Sequence, residues 1–254
     1  MVKPRLTMNP VIIRFFGRLN DFLPQARRNK RISYLVAGSP AVKDTIEALG
    51  VPHVEVGSIR VNKKAVRFYY QLKKKDKVEV YPPGNFRNIL TPPLKSECKF
   101  ILDSHLGKLA RYLRLLGFNA LYKNDYDDKE IAMIAGRRGR IVLTRDVGLL
   151  KHKRIVRGLW LRSSDPLEQI KEVIQRFHLK LNNRPFRICL DCGGKIKKAD
   201  KAKIARRLPP MTKEYYNTFF ICSDCRKIYW QGSHYKKLLA VVADIRKKSK
   251  AGAC

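Results

Sequence analysis

The sequence predicts an α/β protein: a central domain with a parallel sheet, a smaller strand-rich unit before it, and a cysteine-bearing module after it. Residues 99–150 carry the first observation. Short continuous apolar runs alternate there with helix-spaced apolar residues, the pattern of strands buried on both faces by helices. Residues 9–83 supply the second, with two strand patterns, one helix pattern and then further strands. The third is a pair of Cys-x-x-Cys knuckles beyond residue 186.

In chain order, residues 11–16 and 31–36 read as strands joined by a polar, basic connection. A helix is expected over 39–49, because Val42, Ile46 and Leu49 share a face and Gly50 supplies a stop. Further strands are expected at 54–61, 66–69 and 78–81, with Asn62-Lys63-Lys64 as a turn. Two strands, a helix and more strands is the order of a β-grasp fold, placed at 9–83. Residues 82–99 are rich in proline and polar side chains and read as a linker. Cys98 has no cysteine or histidine close to it in sequence and is expected as a free thiol.

The central domain, 99–180, begins with Phe100-Ile101-Leu102, a run that stops at Asp103. Leu106, Leu109, Ala110, Leu113 and Leu116 then recur at helical spacing, and Gly117 sits where such a helix would end. Strands are expected at 118–122, 141–143 and 158–162, with a helix around Ile131, Ala132 and Ala135 between the first two. Asp165-Pro166-Leu167-Glu168 has the form of a helix start: an N-cap, proline at N1 and an acid at N3. That cap accounts for Asp165.

In parallel α/β sheets the site lies beyond the carboxyl ends of the strands, where Asp103 and Asp146 both fall. Neighbouring carboxylates repel unless a cation lies between them, and all-oxygen ligation suits Mg²⁺ or Mn²⁺. Asp127 with Glu130 makes a capping-box pattern, so Asp127 is expected as a cap. Asp128, on the first helical turn, is either a third ligand or an acid favoured by the helix dipole. Lys108, Arg111 and Arg114 recur at three-residue spacing after Asp103. They form either an ordinary solvated stripe or one that holds phosphates, and Arg145 is a similar candidate.

In the last module, 186–245, Cys189 with Cys192 and Cys222 with Cys225 offer four thiolates for a structural, tetrahedral Zn²⁺ with no position open to substrate. Residues 195–220 between the knuckles are densely basic and carry Tyr215, Tyr216, Phe219 and Phe220 near their end. They read either as a disordered, solvated insert or as an RNA-backbone surface whose aromatics divide between core and base stacking. His234 is expected near the knuckle as a hydrogen-bonded side chain, a spare ligand or a group acting on substrate. Residues 235–245 read as a short helix.

A formal net charge of +34 is too large for a generic soluble enzyme and implies a polyanionic partner, most simply nucleic acid. No apolar run approaches transmembrane length and the first residues lack a signal-peptide pattern, so no membrane role is expected. Matched cysteine pairs read as metal ligands in a reducing compartment, which makes a cytoplasmic location the expectation. The charge alone does not choose RNA over DNA.

The stretches LDSHLGKLARYLRLLGF, DDKEI and RIVLTRD, followed by two CxxC knuckles and YWQGSH, resemble the mutator-seven C-terminal (Mut7-C) RNase domain family, a PIN-like nuclease branch. SPAVKDTIEALGVPHVEV, VNKKAV and DKVEVYP are similar to the ubiquitin-like, sulfur-carrier-type domain often found ahead of it. Carrier chemistry needs a free C-terminal Gly-Gly; here Tyr81-Pro82-Pro83-Gly84-Asn85 follows and the chain continues, so that chemistry is not expected. A docking or RNA-binding module, or a structural appendage, is left. The resemblance implies a PIN-like three-layer domain followed by a zinc ribbon, and a Mg²⁺- or Mn²⁺-dependent ribonuclease whose acids are Asp103, Asp128 and Asp146. It also implies phosphate contacts for Arg111 and Arg114, which match an LAR-x-LR pattern. Ser104-His105 departs from the glycine-methionine expected after the first acid. RNA is the implied partner, with rRNA, tRNA or the ribosome among its forms. The alternative is a non-catalytic RNA- or ribosome-binding factor on the same scaffold.

Overall fold

A computed structural model describes residues 8–84, 90, 98–181 and 185–251. Most of the expected linker lies outside these residues. The chain divides into two compact units, residues 1–96 with 146–160, and residues 97–145 with 161–254.

In the first unit the strands β1 (Met8–Phe15), β2 (Arg31–Ala37), β3 (Ser58–Val61), β4 (Lys64–Val66) and β5 (Lys77–Tyr81) form one sheet in the order β2-β1-β5-β3-β4. β1 and β5 run parallel and the other pairs antiparallel. Period-two alternation buries Val11, Ile13 and Phe15 of β1 with Val78 and Val80 of β5, and Val42 and Ile46 of the helix α1 (Val42–Ala48) join the same core.

Two expected strands are shorter than their apolar content suggested. Within 54–61 only Ser58–Val61 is strand, because Pro52 introduces a 3₁₀ turn, His53–Glu55. That turn buries the Glu55 carboxylate, which accepts from the Trp160 backbone N–H at 2.7 Å. Within 66–69, pairing ends at Val66, and Phe68 packs partly against the core as an irregular segment. Residues 146–160 add a short helix, Val147–Leu150, and a strand, Gly158–Trp160. They are tied to this unit by His53, whose Nε2 lies 2.8 Å from the Ile155 carbonyl, and by Lys151, which donates to the Glu47 carbonyl.

In the second unit β6 (Lys99–Leu102) pairs in parallel with β7 (Asn119–Leu121) on one side and β8 (Ile141–Thr144) on the other. Phe100, Ile101, Leu102 and all four residues of β8 are buried, as strands covered on both faces should be. The connections are α2 (Gly107–Leu115) and α3 (Asp128–Arg138). Phe100 meets Phe118 and Phe177 with ring centroids 6.2 and 6.1 Å away, which docks the helix Pro166–Phe177 onto the sheet.

The cysteine module belongs to this second unit. Strands Ile196–Ala199, Phe219–Cys222 and Ile228–Trp230 form an antiparallel three-stranded sheet in that order. The basic segment between the knuckles is folded, which removes the disordered-insert alternative: it contributes short helices Lys201–Ile204 and Pro210–Tyr215. Ile204, Leu208 and Phe219 bury a small core with Tyr216 partly against it, whereas Tyr215 is 67% exposed. The last helix, Ser233–Ala251, runs longer than expected. Among the described residues no helix is long and apolar enough to cross a membrane.

Candidate functional site

Asp103 directly follows β6. Its backbone N–H donates to the Leu143 carbonyl, prolonging the pairing with β8 by one residue. The carboxylate is then fixed from both sides. Oδ1 accepts from the Ser104 hydroxyl at 3.1 Å and the His105 backbone at 3.4 Å, and Oδ2 accepts from the buried Thr144 hydroxyl at 2.8 Å. An ionised carboxylate has about four acceptor positions, so these three donors leave room for a cation on Oδ2. Ser104, where the resemblance leads one to expect glycine, thus supports the acid. Tyr122 holds the same turn by donating to the Ser104 carbonyl at 2.7 Å, and it does so across Gly107. A Cβ on Gly107 would lie 2.9 Å from the Tyr122 hydroxyl.

The other acids stand on separate elements. Asp127 caps α3 in a full capping box with Glu130. Asp128 is exposed on the first turn of that helix, and Asp146 is exposed as the N-cap of Val147–Leu150, accepting from Gly148 N–H at 2.6 Å. Asp165 caps its helix, accepting from Leu167 and Glu168. Lys108 and Arg111 are exposed on α2, and Arg145 is exposed after β8.

The cysteines come together. Cys189, Cys192, Cys222 and Cys225 place their sulfurs within 4.8 Å of one another, and among the described residues they are the one group of three or more metal-type ligands this close. Cys189 and Cys225 lie 3.6 Å apart and Cys192 and Cys222 3.4 Å apart. A tetrahedron with Zn–S bonds of about 2.3 Å has edges of about 3.8 Å, so the set fits zinc with little adjustment.

Both knuckles have the same backbone. Cys189 N–H donates to the Gly194 carbonyl and Cys222 N–H to the Lys227 carbonyl. The residue after the second cysteine is left-handed in each, Gly193 at φ +83° and Arg226 at φ +62°. Burial acts to raise the Cys189 thiol, but hydrogen bonds from the Cys192 backbone and the Tyr229 hydroxyl outweigh it and bring it down to about 6. Tyr229 lies 2.9 Å from that sulfur, and its own ionisation is pushed up by burial and by Cys189. Tyr229, and not the exposed His234, supports the first knuckle from the third strand of its sheet.

The Mut7-C RNAse domain matches residues 98–242, more than half of the 254-residue chain. The chain belongs to the Mut7-C RNAse domain family. Residues 8–88 match Mut7-C ubiquitin, the sheet of the first unit. No curated protein and no solved structure matches the chain. Membership in the Mut7-C family supports a ribonuclease-like function with RNA as the class of substrate.

Within the Mut7-C region one basic residue has a place that its spacing did not suggest. Arg114 shares the three-residue spacing of Lys108 and Arg111, as a surface stripe would, but it is 1% exposed. Three-residue steps turn by about 300° on a helix, so the third member rotates off the face of the first. Its Nε donates to the Ala120 carbonyl at 2.9 Å, and its Nη1 donates to the Leu190 and Asp191 carbonyls at 3.0 and 2.7 Å. Leu190 and Asp191 are the two residues between Cys189 and Cys192, so Arg114 bolts α2 and β7 to the first knuckle. Nη2 has no hydrogen-bond partner among the described residues and lies beside Gly193. Burial lowers the guanidinium pKa, opposed by the negative charge of Cys192, Cys189 and Asp191. Arg114 therefore serves the knuckle and is not available to a substrate phosphate. Arg140 was also missed: it closes the opposite end of the sheet, donating to the Phe100 carbonyl and to Asn119.

Proposed function

We propose that this chain is a metal-dependent ribonuclease that cleaves RNA phosphodiester bonds, with Asp103, Asp128 and Asp146 as the residues that hold Mg²⁺ or Mn²⁺. The observation that carries the reading is the Mut7-C RNAse domain match over residues 98–242, which spans all three acids. The hydroxyls that orient Asp103 support it, since a carboxylate gripped at a strand end is ready for a cation without reorganisation. A bound divalent ion supplies charge neutralisation at the scissile phosphate and acidifies a water. Lys108 and Arg111 on α2 and Arg145 beside Asp146 hold the RNA backbone as exposed cations. The four cysteines hold a structural Zn²⁺ whose closed thiolate set takes no part in cleavage. Structured RNA is the substrate, with rRNA, tRNA or the ribosome as forms of the RNA partner, and a reducing cytoplasm is the compartment in which such thiolates persist.

The test is cleavage of a labelled mixed RNA with Mn²⁺ or Mg²⁺, run beside Asp146→Asn. The variant is the better control than a chelator, because chelation also strips the cysteine site. Metal-dependent cutting that is lost in Asp146→Asn while RNA binding persists supports the ribonuclease. Tight binding without cutting under either metal overturns it in favour of an RNA-binding factor on the same scaffold.

A further inference from the structure

We propose that the outer face of the five-stranded sheet in the first unit is a binding surface for single-stranded RNA; the choice of RNA as the polyanion rests on the ribonuclease reading above. α1 packs its Val42 and Ile46 into the core on the inner face of this sheet. Strand alternation turns the other set of side chains outward. On β1 this set includes Arg14, with Phe16 just beyond the strand, and on β5 it includes Tyr81, while β3 contributes Arg60.

These four side chains form one contiguous cluster, in which the two rings pair with each other and each guanidinium contacts one ring. Phe16 and Tyr81 stack with ring centroids 4.4 Å apart and planes 11° from parallel. The Arg14 guanidinium lies over the Phe16 ring at 4.9 Å from its centroid, and that of Arg60 lies over the Tyr81 ring at 5.7 Å. Two aromatic rings thus contact two guanidinium groups on this face, with Arg60 exposed and Arg14, Phe16 and Tyr81 half-buried. A guanidinium held this way keeps its N–H edges for phosphate oxygens and a flat face for a base. Each ring contact restricts its arginine in advance, which lowers the rotamer entropy that binding would cost.

The surroundings fit the same ligand. Arg31 and Lys77 lie exposed on the neighbouring strands, whereas Glu79, between Arg14 and Arg60 in the register, is the acid of this face. Ile12 and Leu35, 37% and 56% exposed, add apolar surface beside the charge. Cations interleaved with aromatic and apolar surface suit a strand whose bases are unpaired, because a duplex hides the base faces that such a surface would contact. An acidic peptide would satisfy the charge but leave the stacking planes unused.

The experiment compares the full chain with the double variants Arg14→Gln/Arg60→Gln and Arg14→Lys/Arg60→Lys. Binding of a short single-stranded oligoribonucleotide is measured by fluorescence anisotropy in EDTA-free buffer without Mg²⁺ or Mn²⁺, over a salt series. The Gln variant is expected to bind at least about tenfold more weakly, as loss of stacking and charge contacts implies. Its slope of log K against log salt should shrink by about 1.4, since each phosphate contact on a single strand contributes about 0.7. The Lys variant should keep the wild-type slope. Unchanged affinity and slope in the Gln variant overturn the proposal, as does an equal loss in the Lys variant, which preserves the charge. Loss of binding to poly-glutamate with unchanged RNA binding overturns it in favour of a protein partner. Cleavage is scored separately with Mn²⁺. A chain that never cuts but whose Gln variant still loses affinity and slope refutes the ribonuclease and leaves this face standing; a chain that cuts but binds RNA without Arg14 and Arg60 does the reverse.

Discussion

Arg114→Met tests whether the cysteine module and the sheet domain are one energetic unit. Methionine fills much of the space but removes three donated hydrogen bonds, leaving the Ala120, Leu190 and Asp191 carbonyls without them in a site that is 1% exposed. Hydrogen bonds from a charged donor contribute about 1.5–3 kcal/mol each, partly offset because the buried charge and its desolvation also disappear. The net cost expected is about 3–5 kcal/mol, the range for breaking a buried ionic contact on one side. For a unit of this size that is a fall in Tm of about 6–20 °C. The loss should also reach the metal. A Cys₄ site loaded with Zn²⁺ carries two net negative charges, and Arg114 is the buried cation beside them. Zinc transfer to a colorimetric chelator should therefore be at least about tenfold more favourable in the variant, which corresponds to only 1.4 kcal/mol of the total. Arg114→Lys keeps the charge but cannot span three carbonyls, so it should recover less than half of the loss. A variant with wild-type Tm and zinc retention would refute the argument, since it would mean that the knuckle holds its position without this bolt.

Other consequences follow from single features. Removing zinc from the wild-type chain should expose 186–245 to limited proteolysis while the first unit stays protected, because each core lies within its own unit. Asp127→Ala should cost about 1 kcal/mol in thermal unfolding through loss of the capping box, without abolishing RNA cleavage; abolished cleavage would show that Asp127 and not Asp128 is the ligand. Arg226→Gly should stabilise the zinc-loaded protein by about 1 kcal/mol, because a left-handed φ of +62° strains any residue with a Cβ. Gly193→Ala should do the opposite, with its Cβ 3.3 Å from Arg114 Nε.

Much of this architecture is legible in the chain because local signals and tertiary packing agree. The apolar runs Phe100–Leu102 of β6 and Ile141–Leu143 of β8 stop at Asp103 and Thr144, and the caps at Asp127 and Asp165 hold as written. Two Cys-x-x-Cys pairs point to a candidate metal site because the chemistry needs four sulfurs and the spacing leaves each pair on one turn. The misreadings have tertiary causes. Val54 and Val56 look like strand, but Pro52 and the burial of Glu55 bend that backbone into a turn. Arg114 reads as surface because nothing in an arginine codon declares that three carbonyls from residues 120, 190 and 191 converge on it. Tyr229 and Tyr122 were hidden for the same reason: each matters through one hydroxyl whose partner lies far along the chain.

Ser104 carries the last test, because it stands where the resemblance leads one to expect glycine and yet grips the first acid. Two hydroxyls, Ser104 and Thr144, hold opposite oxygens of Asp103, so removing either leaves the carboxylate anchored by the other. Ser104→Gly should therefore reduce cleavage modestly, by less than about tenfold, and Thr144→Val by more, because a buried donor is lost from a 2.8 Å bond and water cannot easily replace it. The double variant should lose more than the product of the two, since neighbours that share one partner do not add independently. The readout is the Mn²⁺ concentration giving half-maximal cleavage, which should rise in parallel with the loss of rate if orientation of Asp103 governs metal capture. A lower rate at unchanged metal dependence would mean that the two hydroxyls act elsewhere, and the Asp103 end of the sheet would then need another explanation for its two-sided grip.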